Sequence, residues 1–441
     1  MIADTIAAIS TPTGVGGVGV LRLSGAKAHA IGKMVAGKIP NTGEFSYRRF
    51  QDASGNEIDQ GLVLCFSAPS SFTGEDVIEL QGHGGPVPMA MLLNACLAAG
   101  ARQAEPGEFS QRAFLNDRID LTQAEAIADL INSATEQAAR GAVQSIKGEF
   151  SNHVRNLEQE LINFRVYIEA AIDFPEEEID FLASTGIKAR LKDIKEQLKQ
   201  TVKSATTGEL LQQGVQIALI GEPNVGKSSL FNALVGSEAA IVTEVPGTTR
   251  DIIAKSINLN GLLVHLLDTA GMRDSEDAVE KIGIDRAREA SKSADLVLEL
   301  RDCTIENTSS VLAGAVETTN IIRVNTKADL VPSTEPVSGF GVWVSSKTGQ
   351  GIPELIHQIK EVIGFSLGPE SAFSARKRHI NLLNTSLAAV ERGEHELLAS
   401  GAGELLAEEL RLAHDTLGEI TGKMTADTLL GEIFSNFCIG K

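Results

Sequence analysis

The sequence predicts a multidomain chain that combines α+β and α/β architecture. An N-terminal α+β domain is expected over 1–118, and a discontinuous helical bundle over 119–212 and 366–441. A doubly wound α/β domain over 213–365 is inserted between the two helical parts. Three patterns carry this expectation. The opening segment alternates short β-type runs with Gly and Pro, and the flanks of the middle domain repeat apolar residues in steps of three and four. Between them, 215–364 alternates strand-like and helical runs.

In chain order, Val18–Leu23, Leu62–Phe66 and Val77–Leu80 read as strands and Met89–Ala99 as a helix. Thr122 and Glu125 form a Thr-x-x-Glu signature that opens a helix through Ile131. Val143, Ile146, Phe150, Val154, Leu157, Leu161, Phe164 and Ile168 mark the buried stripe of one long helix, which Asp173-Phe-Pro stops. Ile187–Val202 resumes helix, and Thr206-Thr-Gly-Glu leads out of it. Val215–Ile220, Leu262–Leu267, Leu296–Leu300, Ile321–Val324 and Val342–Val344 are strands of a mostly parallel sheet. Leu382–Val390, Leu405–Leu417 and Leu429–Phe437 are helical again; neither helical part has enough apolar surface for a core alone, so the two are expected to pack together. Gly14-Val-Gly-Gly-Val-Gly19 fits the dinucleotide fingerprint, but strand-like residues follow it. It reads as a turn, with no NAD or FAD expected.

The charge narrows the function classes. Lys plus Arg number 39 against 58 Asp plus Glu, a net charge of −19, which argues against gripping nucleic acid through a basic surface. Met1–Arg118 holds 9 basic and 11 acidic residues, so most of the surplus lies further along. No basic leader precedes an apolar core, and no apolar run reaches the roughly 20 residues of a membrane span. A cytoplasmic protein without a membrane partner is expected. Cys65, Cys96, Cys303 and Cys438 lie far apart with no CxxC pair, which suggests neither a disulfide framework nor a zinc cluster.

Chemistry concentrates in the middle domain. Gly221-Glu-Pro-Asn-Val-Gly-Lys-Ser228 matches G-x-x-x-x-G-K-[ST] between a strand and a helical run from Ser229 to Leu234. Its glycines let backbone N–H groups curl around phosphates at a helix N-terminus. Lys227 brings charge to the β- and γ-phosphates, and the Ser228 hydroxyl suits Mg²⁺. Asp268, Thr269, Ala270 and Gly271 end the next strand, where an Asp can reach Mg²⁺ through water and the Gly N–H can meet the γ-phosphate. Thr326, Lys327, Ala328 and Asp329 end another; Asp329 can accept both N–H groups on the guanine edge. Ser345, Ser346 and Lys347 complete a base pocket, and Thr249 in Gly247-Thr-Thr-Arg-Asp251 fits a Mg²⁺-sensing switch. Order and strand-end position together predict a Ras-like P-loop GTPase.

Two departures matter. Thr326 occupies the place of the usual Asn in Asn-Lys-x-Asp, where its hydroxyl can still serve guanine recognition. Met272 stands where many small GTPases carry a Gln that orients the attacking water. Methionine cannot do that. Asp277 and Glu280 follow in the switch segment, and Glu280 is the candidate, against its being an exposed acid on a loop.

These motifs resemble the MnmE (TrmE) family of tRNA modification GTPases over essentially the whole chain. The resemblance rests on Gly247-Thr-Thr-Arg-Asp with Asp268-Thr-Ala-Gly-Met, on Phe72-Thr-Gly-Glu-Asp and Gln81-Gly-His-Gly-Gly, on Pro106-Gly-Glu-Phe with Arg112-Ala-Phe-Leu-Asn-Asp, and on Phe437-Cys-Ile-Gly-Lys441. It implies an N-terminal folate-binding and dimerisation domain, a homodimer, an MnmG-like FAD protein as partner and tRNA as substrate. A carboxymethylaminomethyl-type group would be built on the wobble uridine from a reduced folate, a tetrahydrofolate derivative.

GTP hydrolysis there depends on K⁺-promoted pairing of G domains. Carried onto this chain, Asn224, Val225, Gly226, Lys227, Ser228 and Ser229 bind GTP together with Thr243, Glu244, Val245, Pro246, Gly247, Thr248 and Thr249. Asn224, Thr243, Val245 and Thr248 would bind K⁺, Ser228 and Thr249 would hold Mg²⁺, and Glu280 would orient water. Arg22, Glu79, Arg118 and Lys441 fall at folate positions; a carboxylate suits the donor face of a pterin, and the cations suit a glutamate tail. Each of these is also an ordinary surface ion-pair residue when taken alone.

Cys438 could act as a nucleophile or be inert, and His83 lacks partners at metal-ligand spacing. The alternatives are a ribosome-assembly GTPase, or a folate enzyme with a regulatory GTPase. Residues from Leu367 onward are net acidic and carry no basic G-x-x-G loop, which disfavours the first.

Overall fold

The computed structural model describes residues 4–173, 185–236, 253–268, 294–305, 320–331, 341–365, 373–423, 427–435 and 437–440. They form two compact units. One comprises Met1–Ala128, Ser151–Ile162 and Arg411–Lys441, and the other Asp129–Phe150 and Asn163–Leu410.

In the first unit, β1 (Ile6–Ile9), β2 (Gly16–Ser24), β3 (Phe45–Gln51), β4 (Glu57–Phe66), β5 (Val77–Gly84) and β6 (Arg102–Gln103) build a sheet in the order β3-β4-β5-β2-β1-β6. Neighbours are antiparallel except β1 with β6. Alternation sends Val63, Cys65, Ile78, Leu80, Leu21 and Leu23 inward against α1 (Ala28–Ala36) and α2 (Pro86–Ala98). The glycine-rich stretch before Val20 enters β2 directly and leads to no helix. On the other face, Ile6 and Ala8 pack with Phe109 of α3 (Glu108–Leu115) and with Phe72.

The next helix, α4 (Leu121–Ile131), starts earlier than the Thr122 signature suggests. Asp120 is the cap: its carboxylate accepts from the Gln123 N–H at 3.0 Å, and the Gln123 side chain accepts from the Asp120 N–H at 2.9 Å. Thr122 is left inside the helix, its hydroxyl 2.7 Å from Ser151 Oγ. Leu121, Ala124 and Ala128 pack with Leu430, Ile433 and Phe434 near the C-terminus and with Phe437 beyond them. The tail then pairs with the N-terminal domain, Ile439 bridging to Pro106.

Two helix expectations are corrected. The long helix is two helices, α5 (Glu136–Ile146) and α6 (Glu149–Asp173), because Gly148 takes a left-handed φ of 89° between them. Val143 accordingly falls off the stripe at 38% exposure, whereas Phe164 and Ile168 are buried. Thr206-Thr-Gly-Glu is no exit either: α7 runs unbroken from Thr185 to Gln213, with the Thr206 and Thr207 hydroxyls bonded back to the carbonyls of Val202 and Lys203. Gly208 is there for close approach, since a Cβ would stand 2.3 Å from the Phe373 carbonyl oxygen.

That helix feeds a sheet of β7 (Val215–Gly221), β8 (Ile253–Leu259), β9 (Leu262–Asp268), β10 (Leu296–Asp302), β11 (Ile321–Thr326) and β12 (Val342–Trp343). The order is β12-β11-β10-β7-β9-β8, parallel except for β8. α8 (Lys227–Gly236) and α9 (Ile352–Ile363) contribute to the core around β7, β10 and β11. α10 (Lys377–Ser400) lies along α7 through Lys195–Glu394 and Lys199–Glu391 ion pairs. α11 (Gly403–Thr421) and α12 (Asp427–Ser435) complete the described helices.

Candidate functional site: a nucleotide pocket and an N-terminal ion pair

Apart from exposed Gln216, the apolar residues of β7 face inward, with Ile217, Ala218 and Leu219 wholly buried, so its C-terminal end is fixed in the middle of the sheet. The chain turns out of it through Asn224 at φ 62° and Gly226 at φ 102°, and α8 starts at Lys227. Lys227 Nζ donates to the carbonyls of Gly221 at 2.7 Å and Glu222 at 2.9 Å, which holds the ammonium over the loop. Val225 is buried, while Asn224, Ser228 and Ser229 are exposed at the helix start. The Lys227 ammonium and the N-terminal end of α8 thus lie together at the C-terminal end of β7.

Register carries the residues expected to read the base to the same edge. Thr326 ends β11 opposite Asp302 of β10, and Val344 N–H donates to the Asn325 carbonyl at 2.8 Å. The Ala328 N–H donates in turn to the Val344 carbonyl, which fixes the two loops together. The Ser345 hydroxyl donates to Asp329 Oδ1 at 2.7 Å and holds that carboxyl below the usual carboxylate range. Asp329 is thus anionic and exposed, as an acceptor for two guanine N–H groups must be. Ser346 and exposed Lys347 flank it.

Thr326 differs from the expectation that its hydroxyl serves guanine. It is 3% exposed, and its Oγ1 lies 2.6 Å from the Val225 carbonyl and 3.0 Å from the Arg301 carbonyl. Lys327, at a left-handed φ of 61°, donates to Asp302 Oδ2 at 2.5 Å. Burial pushes Asp302 up, but the Lys327 ammonium and the Thr304 hydroxyl outweigh it and leave the carboxyl below its ordinary value. Asp302 was not among the residues anticipated from sequence. Its only signal there is an acid ending an apolar strand, and strand register is needed to set it beside Lys327. Asp268 ends β9, in register with Leu219. Thr243–Thr249, Thr269–Gly271, Met272, Glu280 and Lys441 lie outside the described residues.

In the first unit, Arg22 of β2 and Glu79 of β5 are directly opposite in register. Arg22 Nε and NH2 both donate to Glu79 Oε1, at 3.0 and 2.8 Å. The guanidinium also donates to the Gly440 carbonyl at 3.4 Å and lies 5.9 Å from the Phe72 ring and 5.7 Å from Phe109. Two of the folate-position residues therefore meet beside the residue that precedes Lys441. Arg118 is exposed, its stem against Gly74 two residues after Phe72. Cys438 is exposed. His83 is hydrogen-bonded through Nδ1 to Asp59 at 2.7 Å, and no group of three metal-type ligands occurs among the described residues. No helix among them is long and apolar enough to cross a membrane.

A glycine-bearing phosphate loop, a strand-end Asp329 and a Ser345 turn converging on one edge of a parallel sheet define a P-loop GTPase, here attached to an α+β domain and helices. The model described as the GTP-binding protein TrmE N-terminus matches residues 5–118, and that described as the MnmE helical domain matches residues 121–438. The tRNA modification GTPase MnmE of Erwinia tasmaniensis is 49% identical across 100% of this chain and 99% of its own length. That of Pseudomonas aeruginosa strain UCBPP-PA14 is 50% identical across 99% of each. The chain belongs to the MnmE family of tRNA modification GTPases.

Proposed function

We propose that the protein is a K⁺-stimulated GTPase that works as a homodimer with an MnmG-like FAD protein. Together they install a carboxymethylaminomethyl-type group on the wobble uridine of certain tRNAs, drawing one carbon from a reduced folate. The observation that carries the reading is the convergence of the Lys227 loop with Asp329 and Ser345 on one sheet edge, in a chain of this family. Lys227 and the loop N–H groups bind the phosphates, and Asp329 reads guanine. Ser228, exposed at the start of α8, and Thr249 would hold Mg²⁺, which supplies charge neutralisation to the phosphates when bound. Asn224, Thr243, Val245 and Thr248 would hold K⁺. Glu280 orients water in place of a Gln. The Arg22–Glu79 pair, flanked by Phe72 and Phe109, suits a flat heterocycle with donors on its edge. Arg118 and Lys441 would meet its anionic tail.

Nucleoside mass spectrometry on tRNA from cells lacking the gene tests the whole reading. The 5-substituted wobble uridine should disappear and return with the wild-type gene. An unchanged profile would leave a GTPase without a tRNA role and bring ribosome assembly forward. Hydrolysis should run several-fold faster in KCl than in NaCl, and equal rates would sink the K⁺ assignment.

A further inference from the structure

We infer that His265 is a positioning residue that links the β8–β9 hairpin to the end of α7, so that a shift of the hairpin with the bound nucleotide reaches the helix that leads into the α/β domain. The inference rests on the GTP reading above and concerns how the state of that site leaves the domain. In sequence, β8 (Ile253–Leu259) begins two residues after the Gly247-Thr-Thr-Arg-Asp251 motif, and β9 (Leu262–Asp268) ends at the first residue of Asp268-Thr-Ala-Gly. Both motifs are expected at the γ-phosphate and its Mg²⁺, so the hairpin joins the two segments that would sense them. The strands pair antiparallel, with Ser256 directly opposite His265.

The His265 ring is bonded at both nitrogens. Its Nε2 lies 3.0 Å from the carbonyl of Gln213, the last residue of α7, and its Nδ1 lies 2.8 Å from the hydroxyl of buried Ser256. A carbonyl can only accept, so Nε2 carries the proton and Nδ1 accepts from Ser256. That fixes one tautomer and one ring orientation. The Gln213 carbonyl is one of the last four of its helix, which have no partner inside it. Gly214 brings the same helix end against β9: at its φ of 74°, an added Cβ would stand 2.7 Å from the Leu263 carbonyl oxygen. One residue earlier, Gln212 Nε2 donates to the Asp129 carbonyl of α4 at 3.1 Å. Neighbouring residues of α7 are thus held by different partners, Gln213 by the hairpin and Gln212 by α4. A displacement of β9 is felt at the peptide between them. The bond to Gln213 lies at the surface and adds little to stability, so its loss tests the link and not the fold.

The test is hydrogen–deuterium exchange of the full-length chain with GDP and with a non-hydrolysable GTP analogue, read on peptides covering 205–214, for wild type, His265→Leu and His265→Gln. Wild-type exchange there should differ by about threefold or more between the two nucleotides. His265→Leu should remove the difference while binding each nucleotide within about twofold of wild type. His265→Gln, whose amide keeps a donor for the Gln213 carbonyl, should restore most of it; a glutamine variant that behaves like the leucine one would trace the effect to packing and refute the bond. No difference in wild type, or an undiminished one in His265→Leu, would overturn the link. So would a large loss of affinity for both nucleotides in His265→Leu, which would mean that the residue shapes the pocket. If His265→Leu does not fold, Ser256→Ala decides, since it leaves the ring in place but releases its tautomer. A smaller difference there supports the link, and a wild-type difference refutes it. A wild-type chain that binds neither nucleotide would instead sink the GTP reading itself.

Discussion

Asp329 and Arg22 show how far a single side chain could be read in advance. Asp329 is singled out by motif position alone, and the structure pairs it with Ser345, which lies in a motif of its own. Asp329→Asn should lower GDP affinity by about 10- to 100-fold, since it replaces a charged acceptor for two donors, and should leave the melting temperature unchanged; calorimetry decides. The Thr326 hydroxyl was not legible in this way. A sequence shows which residue type stands at a strand end but not which way it points, and register turned this one toward Val225. For Arg22 and Glu79 the types suggested either a ligand site or an ion pair, and the structure makes them a pair, with side-chain exposures of only 17% and 16%. Glu79→Ala should cost about 1–2 kcal/mol of stability by denaturant titration, and on the folate reading should abolish reduced-folate binding.

Among the elements, apolar periodicity found the long helices and the parallel strands but misplaced their ends. Where two capping residues compete, Asp120 won over Thr122, since its side chain and that of Gln123 cap each other reciprocally. The misread exit at Thr206-Thr-Gly-Glu has a different cause. A glycine inside a helix looks like a break unless the chain it touches is known, and the carbonyl of Phe373 lies far away in sequence. Gly208→Ala should therefore destabilise by about 1–3 kcal/mol through overpacking, although alanine is the better helix former. Gly431→Ala in α12, where nothing lies within 4 Å of the added methyl, should stabilise by about 0.5–1 kcal/mol. Thermal melts of the two variants should shift in opposite directions.

At the scale of the whole molecule, the four segments expected from the sequence are distributed over two compact units. Residues 1–118 and 213–365 each fall within one unit, while 119–212 and 366–441 contribute to both, because helices alone do not announce their partners. The first unit is also held by a charge cluster around one buried guanidinium, which no pattern predicted. Arg112, 1% exposed at its side chain, is paired with Asp4, Glu75 and Glu108, and Arg102 joins Asp4 and Glu108. Burial raises the Glu108 carboxyl, but hydrogen bonds from Arg102 and Arg112 bring it below its ordinary value; the Arg102 bond does the same for Asp4. Both fold with depressed values, so their stabilisation is complete above the ordinary carboxylate range of about 4 and is lost as pH falls through the folded values. Urea midpoints should drop below about pH 4, and less steeply in Arg102→Met. Arg112→Met should cost about 3–5 kcal/mol at neutral pH, because it takes the buried guanidinium away from the buried Glu108 carboxylate and from half-buried Glu75.

The seating of residues 437–440 on the N-terminal domain bears on the order in which the protein is made. Pro106 finds its bridge in Ile439 and Arg22 a ligand in Gly440, yet both wait while the α/β domain is translated and free to fold. The earliest-synthesised domain is thus among the last to be finished, with Phe114 and Leu121 lacking Leu430 and Phe434 until then. A ribosome-bound nascent chain should show a protease-resistant middle domain before a protected N-terminal one, and translation stalled before Arg411 should keep the first domain open to the chaperones that meet exposed apolar surface.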